Sequence, residues 1–314
     1  MFTSRDTATA FRHARRVKWT YILIAHGTVR SMSELPGFLL EIRRGRAVPQ
    51  TLLDEMQQRY AKIGQSPLLE HTHRQAQALA HISSVDCRVA MRLWEPRLLD
   101  VISDLDASDG ICLIPMAPFS VPIYEEAARR ELAKLPDERR PHCVCVEAWG
   151  THPLVIDEYV AGIESTLLAA FGRVDPEGVE VILTAHSLPN VVIRAGDPYA
   201  ELFSATARLI EARLSVGVVS CYQSQGADGA DWLGPGLSET LQSCADRRIK
   251  QVVVAPIGFL AEHVVTLYDL DIEAQSEALK LGLDLVRVPT LQDAPGLIRA
   301  LHALANEAVG RDVP

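Results

Sequence analysis

The sequence predicts an α/β protein made of two similar halves, each built on a parallel sheet covered by helices. Two observations support this fold class. Short apolar segments of strand length alternate with segments of helical periodicity along the chain, which is typical of parallel sheets with helices on both faces. In addition, YILIAHGT at 21–28 and VILTAHSL at 181–188 share a strand, an alanine and a histidine in the same register.

The first half contains four apolar runs, which we interpret as strands, and residues at helical spacing lie between them. The opening run is Tyr-Ile-Leu-Ile-Ala, and the predicted strands are 21–25, 87–91, 111–116 and 143–147. The predicted helices are 52–61, 66–81, 97–105 and 123–135.

The second half repeats this pattern after a helix at 156–171. The strand at 181–184 must end near Pro189, because proline cannot donate to a sheet ladder. Further strands are predicted at 216–221 and 252–257, and further helices at 237–247, 262–281 and 294–308. We expect a domain at 19–150 and a second at 151–314, and the last helix can pack back on the first domain.

Composition excludes some classes of function. The chain of 314 residues is 48% hydrophobic and carries a net charge of −9, unlike the basic surface of most nucleic-acid binders. It has no apolar run of 18 residues, so we expect no transmembrane segment. We also expect a cytoplasmic protein that is either a monomer or a homodimer. Six cysteines in apolar contexts, without zinc-site spacing, indicate reduced core thiols.

The N-terminus differs from the rest of the chain in charge. Residues 1–18 contain five Lys or Arg and one acidic residue. No apolar core of a signal peptide follows. We therefore expect a basic, poorly ordered arm, with a transit peptide as the less supported alternative.

The repeated histidines indicate where the site lies. His26 and His186 each follow a strand, and open α/β sheets bind ligands at the carboxyl ends of their strands. Two halves that face each other would enclose a cleft with a histidine on each wall. Farther on, Glu262, Asp269 and Glu273 share one predicted helical stripe with Val265. The stripe is either a solvated helix face or a path for a cation or a proton.

Several motifs stand in order along about residues 20–305. They are EIRRGR (41–46), RYAKIGQSPL (59–68), TAHSLP (184–189), GDPY (196–199), YQSQG (222–226), WLGP (232–235) and PIGFLAEHVVTLYDLDIE (256–273). Together these motifs resemble ferrochelatase, and EIRRGR and RYAKIGQSPL favour the coproporphyrin type of this family.

The resemblance implies two Rossmann-like halves with four-stranded parallel sheets, a porphyrin cleft between them, and insertion of Fe²⁺ with loss of two pyrrole protons. His186 matches the catalytic histidine of the family. A neutral imidazole can bind metal or accept a proton near pH 7. Coproporphyrin III or protoporphyrin IX would be the porphyrin. The other matched positions are Arg43 and Arg44 at the porphyrin edge, Arg59 and Ser66 at its carboxylates, Tyr124 in the cleft, and Asp269 and Glu273 in an acidic track.

The chain also departs from the family pattern. Val265 stands where the family has a glutamate that faces the catalytic histidine, and His26 stands where the coproporphyrin group has a tyrosine. The loop at 116–121 is shorter than usual. No cysteine cluster follows residue 244, so we expect neither a [2Fe-2S] cluster nor another permanently bound cofactor.

These departures leave three hypotheses open. The first is an active ferrochelatase in which His26 supplies a second metal ligand and Glu262 replaces the missing carboxylate. The second is a non-catalytic paralogue that binds porphyrin or haem between His26 and His186, since paired imidazoles are good haem ligands. The third is a chelatase for another divalent metal, such as cobalt.

Overall fold

The computed structural model describes residues 17–173, 177–226 and 231–310, and it contains two four-stranded parallel sheets. The first sheet consists of β1 (Lys18–Ala25), β2 (Asp86–Met91), β3 (Asp109–Pro115) and β4 (His142–Cys145). The second consists of β5 (Val179–His186), β6 (Gly217–Gln223), β7 (Gln251–Ala255) and β8 (Asp284–Arg287).

The two sheets share one topology. Their strand orders are β2-β1-β3-β4 and β6-β5-β7-β8, and all neighbouring strands are parallel. In each half the first strand is therefore central and the repeated histidine follows or ends it. This confirms the fold class predicted from the repeat.

Helices cover both faces of each sheet. In the first half they are α1 (Leu35–Ile42), α2 (Gln50–Ile63), α3 (Leu68–Ser83), α4 (Leu98–Val101) and α5 (Val121–Leu132). The following helices are α6 (Pro153–Phe171), α7 (Asn190–Arg194), α8 (Tyr199–Glu211), α9 (Leu237–Asp246), a π-helix (Val265–Ala274), α10 (Gln275–Lys280) and α11 (Pro295–Gly310). Short 3₁₀ turns lie at Met32–Glu34 and Asp137–Arg139.

One hydrophobic core joins the two halves. Leu23 of β1 and Leu183 of β5 are both fully buried and belong to the same cluster. The last helix, α11, contacts α3, β3 and β4 of the first half, and the Tyr21 hydroxyl donates a hydrogen bond to Asn306 Oδ1 at 3.1 Å. The halves are therefore packed together through a shared core and through α11.

The region α1–α2 has its own small core. Phe38, Leu39 and Tyr60 form this cluster with Val29 and Leu35, apart from the clusters that cover the sheets. Phe38 also meets the Trp94 ring edge-to-face at 5.8 Å between centroids. This small unit, which we call the α1–α2 wall, therefore has a core separate from those of the two sheets.

The sequence interpretation was wrong at several elements. It missed α1, α7, α8 and β8, and the helix predicted at 97–105 is limited to Leu98–Val101. The helix predicted from Glu262 begins at Val265 and is a π-helix for its first ten residues. Residues 1–16 of the predicted basic arm lie outside the described residues, and β1 begins at Lys18, within the last part of that arm.

Two further observations concern the whole described chain. No helix within 17–173, 177–226 and 231–310 is long and apolar enough to cross a membrane. All six cysteines are free, and three are fully buried, namely Cys112, Cys221 and Cys244. The other three were also predicted to lie in the core, but they are only partly buried.

Candidate active site

A cleft of about 450 Å³ opens between the two halves at the carboxyl ends of β1 and β5. His26 and Tyr124 line it from the first half, and His186 and His263 line it from the second. Most of the remaining lining is apolar, including Phe38 and other residues of the α1–α2 wall. A large, mostly apolar cleft with a few polar groups, at this edge of the sheets, has the properties of a small-molecule site.

His186 is the most firmly positioned of the histidines in the cleft. It is the last residue of β5, and its carbonyl accepts a hydrogen bond from the Tyr199 hydroxyl at 2.8 Å. Its Nδ1 lies 2.5 Å from the Ser187 carbonyl oxygen. Because that oxygen can only accept, Nδ1 carries the hydrogen and Nε2 keeps its lone pair. Burial lowers the pKa of His186, against a smaller opposing effect of this bond, so the ring is neutral at pH 7.

Glycines at two positions allow the chain to approach these histidines closely. Gly27 follows His26 with a φ of +119°, where other residues are strained. A Cβ on Gly258 would lie 2.8 Å from Cα of Ala185, the residue before His186. The loop after β7 can therefore pack directly on the end of β5 only with glycine at 258.

His26 lies on the opposite wall, next to Arg92. The residue is exposed, but the walls of the cleft remove part of the hydration of its ring. This desolvation, followed by the charge of Arg92, lowers the pKa of His26. The Arg92 guanidinium lies 3.3 Å from His26 Nδ1 and 5.1 Å from the centre of the Tyr124 ring. Tyr124 is buried and lines the cleft.

His263 is a third histidine of the cleft, and the sequence interpretation did not select it. It lies just before the π-helix, with its ring centre 4.9 Å from that of Phe259. Burial lowers its pKa to about 4 despite the nearby carboxylate of Glu262. Its position within the motif GFLAEHVVTLY could have indicated a functional histidine, but only the carboxylates of this segment were selected.

The structure does not place Glu262 in the cleft. Glu262 is 7% exposed, and its carboxylate accepts hydrogen bonds from Arg287 at 2.9 Å and from the Thr290 backbone at 3.0 Å. Burial alone would raise the pKa of Glu262, but Arg287 and the threonine bonds lower it overall. This corrects the predicted stripe: a buried carboxylate needs partners, and Arg287 holds this one behind the cleft wall.

Asp269 and Glu273 lie together, but both contact Arg59. Arg59 Nη1 is 2.6 Å from Asp269 Oδ1, and Nη2 is 3.7 Å from Glu273 Oε1. The Ser224 hydroxyl donates to the other oxygen of Asp269. Arg59 also lies 4.8 Å from the centre of the Tyr268 ring. The guanidinium predicted to hold a porphyrin carboxylate is thus occupied by carboxylates of the protein.

The remaining predicted residues lie at the cleft or beside it. Ser66 lines the cleft, is buried, and its hydroxyl has no partner within the described residues. Arg43 and Arg44 follow α1 directly after Ile42, which lines the cleft. Arg44 is exposed with a φ of +55°, and Arg43 donates to the Ala47 carbonyl at 2.9 Å. Both arginines are near the mouth and outside the lining.

The protein offers few ligands for a metal. Val265 lines the cleft at the position where the family resemblance implies a glutamate. Within the described part of the chain, no three His, Cys, Asp or Glu side chains are arranged to hold a metal ion. A metal in this cleft would therefore have at most two such ligands from the described residues, with a bound molecule supplying others.

Comparison with other proteins agrees with this architecture. Two solved structures have a similar fold: CbiX, described as the terminal enzyme of sirohaem biosynthesis in denitrifying bacteria, and the sirohydrochlorin chelatase SirB from Bacillus subtilis subspecies spizizenii in complex with cobalt. CbiX has a TM-score of 0.55 at 12% identity and covers 94% of this chain and 100% of its own. SirB has a TM-score of 0.52 at 15% identity, with coverages of 94% and 97%.

Sequence relatives are more similar. The ferrochelatase of Deinococcus radiodurans is 34% identical over 90% of this chain and 93% of its own length. The coproporphyrin III ferrochelatase of Anoxybacillus flavithermus is 32% identical, with coverages of 89% and 93%. The sequence model of the Ferrochelatase family matches residues 19–309. The chain therefore belongs to the ferrochelatase family.

Proposed function

We propose that this protein inserts Fe²⁺ into a porphyrin, as a step of haem biosynthesis. The observation that carries the proposal is the free Nε2 of His186, in an apolar cleft between the two sheets. Membership of the ferrochelatase family and the names of the relatives support it.

In the proposed reaction two pyrrole N–H bonds break, four bonds from nitrogen to iron form, and two protons leave. The lone pair on His186 Nε2 either holds the incoming Fe²⁺ or accepts a pyrrole proton. His263 provides a second neutral imidazole on the same side of the cleft. The apolar lining excludes water around the macrocycle, which strengthens the few polar contacts made there.

We further propose that Asp269 and Glu273 form an outer path for protons or metal. Both carboxylates lie on the π-helix that begins at the cleft with Val265. Arg59 neutralises them in the present arrangement. Transfer along this path therefore requires Arg59 to move away or to exchange partners.

The porphyrin would be held at the mouth and at one inner wall. Arg43 and Arg44 suit carboxylates near the mouth, since a guanidinium can donate two parallel hydrogen bonds to one carboxylate. The Ser66 hydroxyl, which has no partner in the described residues, and the Tyr124 ring would contact the bound molecule inside.

Val265 supports a second candidate, a protein that binds porphyrin or haem without turnover. Valine can neither bind iron nor accept a proton, and it lies in the lining where a carboxylate would assist His186. The two candidates differ in a direct assay. Purified protein is mixed anaerobically with Fe²⁺, Co²⁺ or Zn²⁺ and with coproporphyrin III or protoporphyrin IX. Metalloporphyrin that accumulates over many turnovers supports the enzyme, whereas stoichiometric porphyrin binding alone supports the binder.

The same assay identifies the preferred porphyrin and metal. A permanently bound cofactor is not part of the proposal, and metal analysis of the purified protein would test that. A cytoplasmic location and a monomeric or dimeric state are also predictions, for cell fractionation and light scattering.

A further inference from the structure

The backbone fixes Arg92 beside His26. Arg92 is the first residue after β2, and its N–H donates to the Ala25 carbonyl at 2.8 Å. The N–H of Leu93 donates to the carbonyl of His26 at 3.0 Å. These two bonds tie the segment after β2 to the end of β1, where the strand pairing stops at Ala25 and Met91. The position of Arg92 relative to His26 is therefore fixed by backbone hydrogen bonds.

The Arg92 side chain is confined on the cleft side. Its guanidinium lies 5.1 Å from the centre of the buried Tyr124 ring, and Nη2 lies 3.3 Å from His26 Nδ1. Among the ion pairs of the described residues, Arg92 takes part in none with a carboxylate. Its hydrogens are thus not drawn away from His26 by an acidic neighbour.

The chemistry of the two groups decides which ring nitrogen carries the hydrogen. Arginine has five N–H donors, no acceptor, and is protonated at every pH of interest. In the contact with Arg92, His26 Nδ1 can only accept. A neutral imidazole with an accepting Nδ1 has its hydrogen on Nε2.

We infer that Arg92 holds His26 as the tautomer with hydrogen on Nε2, so that His26 offers the cleft a hydrogen-bond donor and no metal-binding lone pair. His186 is held in the opposite tautomer by the Ser187 carbonyl. Two histidines at equivalent positions of the repeat therefore have different chemistry. Arg92 is a positioning residue for His26, and this assignment replaces the expectation that His26 binds the metal.

The role of this donor rests on the proposed function, although the tautomer does not. A metal-free porphyrin has two ring nitrogens with lone pairs in its plane and two with hydrogen. A donor on the wall opposite His186 can hydrogen-bond one unprotonated nitrogen while His186 acts on the other face.

The tautomer can be measured without substrate or activity. Long-range ¹H–¹⁵N NMR of the whole protein at pH 7 distinguishes a ring nitrogen with hydrogen from one with a lone pair. His26→Phe identifies the His26 signals by their loss. We expect the pattern with hydrogen on Nε2 in the wild-type protein. Hydrogen on Nδ1, or a doubly protonated ring, would overturn the inference even if the protein proves to be a chelatase.

Variants at position 92 test the cause. Arg92→Met removes the donor, so we expect the His26 signals to lose the pure Nε2–H pattern and to show a substantial fraction of the other tautomer. Arg92→Lys keeps a donor and a charge, and it should retain the wild-type pattern. An unchanged pattern in folded Arg92→Met would mean that another group fixes the tautomer. Should Arg92→Met fail to fold, the wild-type spectrum and Arg92→Lys still decide the tautomer.

Added ferric haem gives an independent readout. The wild-type complex should have no low-spin spectrum that depends on His26, and therefore the same spin state as the His26→Phe complex. A wild-type bis-histidine spectrum that is lost in His26→Phe would contradict the inference. Absence of any haem binding would count against the proposed function, while the NMR result would still stand.

Discussion

Arg59 of α2 and Asp269 of the π-helix form an ion pair across the two halves, with 2.6 Å between Nη1 and Oδ1. The Arg59 side chain is 21% exposed and that of Asp269 is 10% exposed. The α1–α2 unit has its own small core, and this pair links it to the second half. The pair therefore connects two walls of the cleft.

Removal of the cation should leave Asp269 with an uncompensated charge. We expect Arg59→Gln to lower the free energy of unfolding by about 1–3 kcal/mol, because a largely buried carboxylate then loses its charged donor. The double variant Arg59→Gln/Asp269→Asn should recover part of that loss. Glu55→Gln is the control: its carboxylate is 52% exposed, and we expect less than about 1 kcal/mol. Urea unfolding measures all four proteins, and equal losses in Arg59→Gln and Glu55→Gln would contradict the prediction.

His186 is the group on which the proposed chemistry depends. His186→Ala should lower kcat by about 10²–10⁴-fold, the usual loss of a general base, with little change in fold. Because burial lowers the pKa of His186, the acid limb of the wild-type kcat/KM profile should lie below the ordinary histidine pKa of about 6.5. The exposed His81 of α3 provides a control substitution to alanine. Turnover of His186→Ala within a few-fold of wild type would exclude the assignment.

The sequence predicted the elements whose local residue pattern matches their place in the fold. The central strands are apolar along their length, and His26 and His186 follow from the repeat in register. The sequence could not show where a charged side chain finds its partner. Glu262 belongs to the acidic motif, but Arg287, from a strand that was not predicted, holds it outside the cleft. Arg59 was matched to a substrate carboxylate, but a carboxylate 210 residues later in the chain occupies it.

Three neutral histidines in the cleft should make the protein less stable in mild acid. Desolvation lowers the pKa values of His26, His186 and His263 in the folded state. The unfolded chain binds protons below about pH 6.5, whereas the folded chain resists them. The contribution of these histidines to the free energy of unfolding is therefore fully present above pH 6.5, and it decreases as the pH drops below 6.5. Between pH 6.5 and pH 5.5 we expect a loss of at most about 1 kcal/mol for each of His186 and His263, and a smaller loss for His26, which is exposed and screened by solvent.

Urea unfolding at pH 7.5 and pH 5.5 measures this effect. Most acids contribute little in this window, because the ordinary pKa values of Asp and Glu lie near 4. Burial raises the pKa of Asp269 and of Glu273, so these two carboxyl groups offset part of the loss. His263→Gln should make the loss smaller, since one group that resists protonation is gone. Equal stability of the wild-type protein at the two pH values would contradict the assignment of neutral histidines.

Substitution of Val265 tests whether the protein catalyses metal insertion in this cleft. It lines the cleft at the first residue of the π-helix, on the wall of the second half that also carries His186 and His263. A glutamate there would add a proton acceptor in a partly desolvated place, where the pKa of a carboxyl group is raised toward the working pH. If insertion is limited by the missing carboxylate, Val265→Glu should raise kcat and change its pH dependence. Val265→Gln, of nearly the same size without the charge, is the matched control and should not raise kcat.

The substitution also has a cost, which must be measured beside the rate. A glutamate in an apolar site without a partner could lower the free energy of unfolding by about 1–3 kcal/mol. Anaerobic assays with Fe²⁺ and either porphyrin should therefore accompany urea unfolding of Val265→Glu, His26→Tyr and the double variant. A rise in kcat only in the double variant would mean that the residues at positions 26 and 265 work as a pair. A folded double variant that binds porphyrin but shows no turnover would rule out the chelatase slowed by Val265 and favour the binding protein.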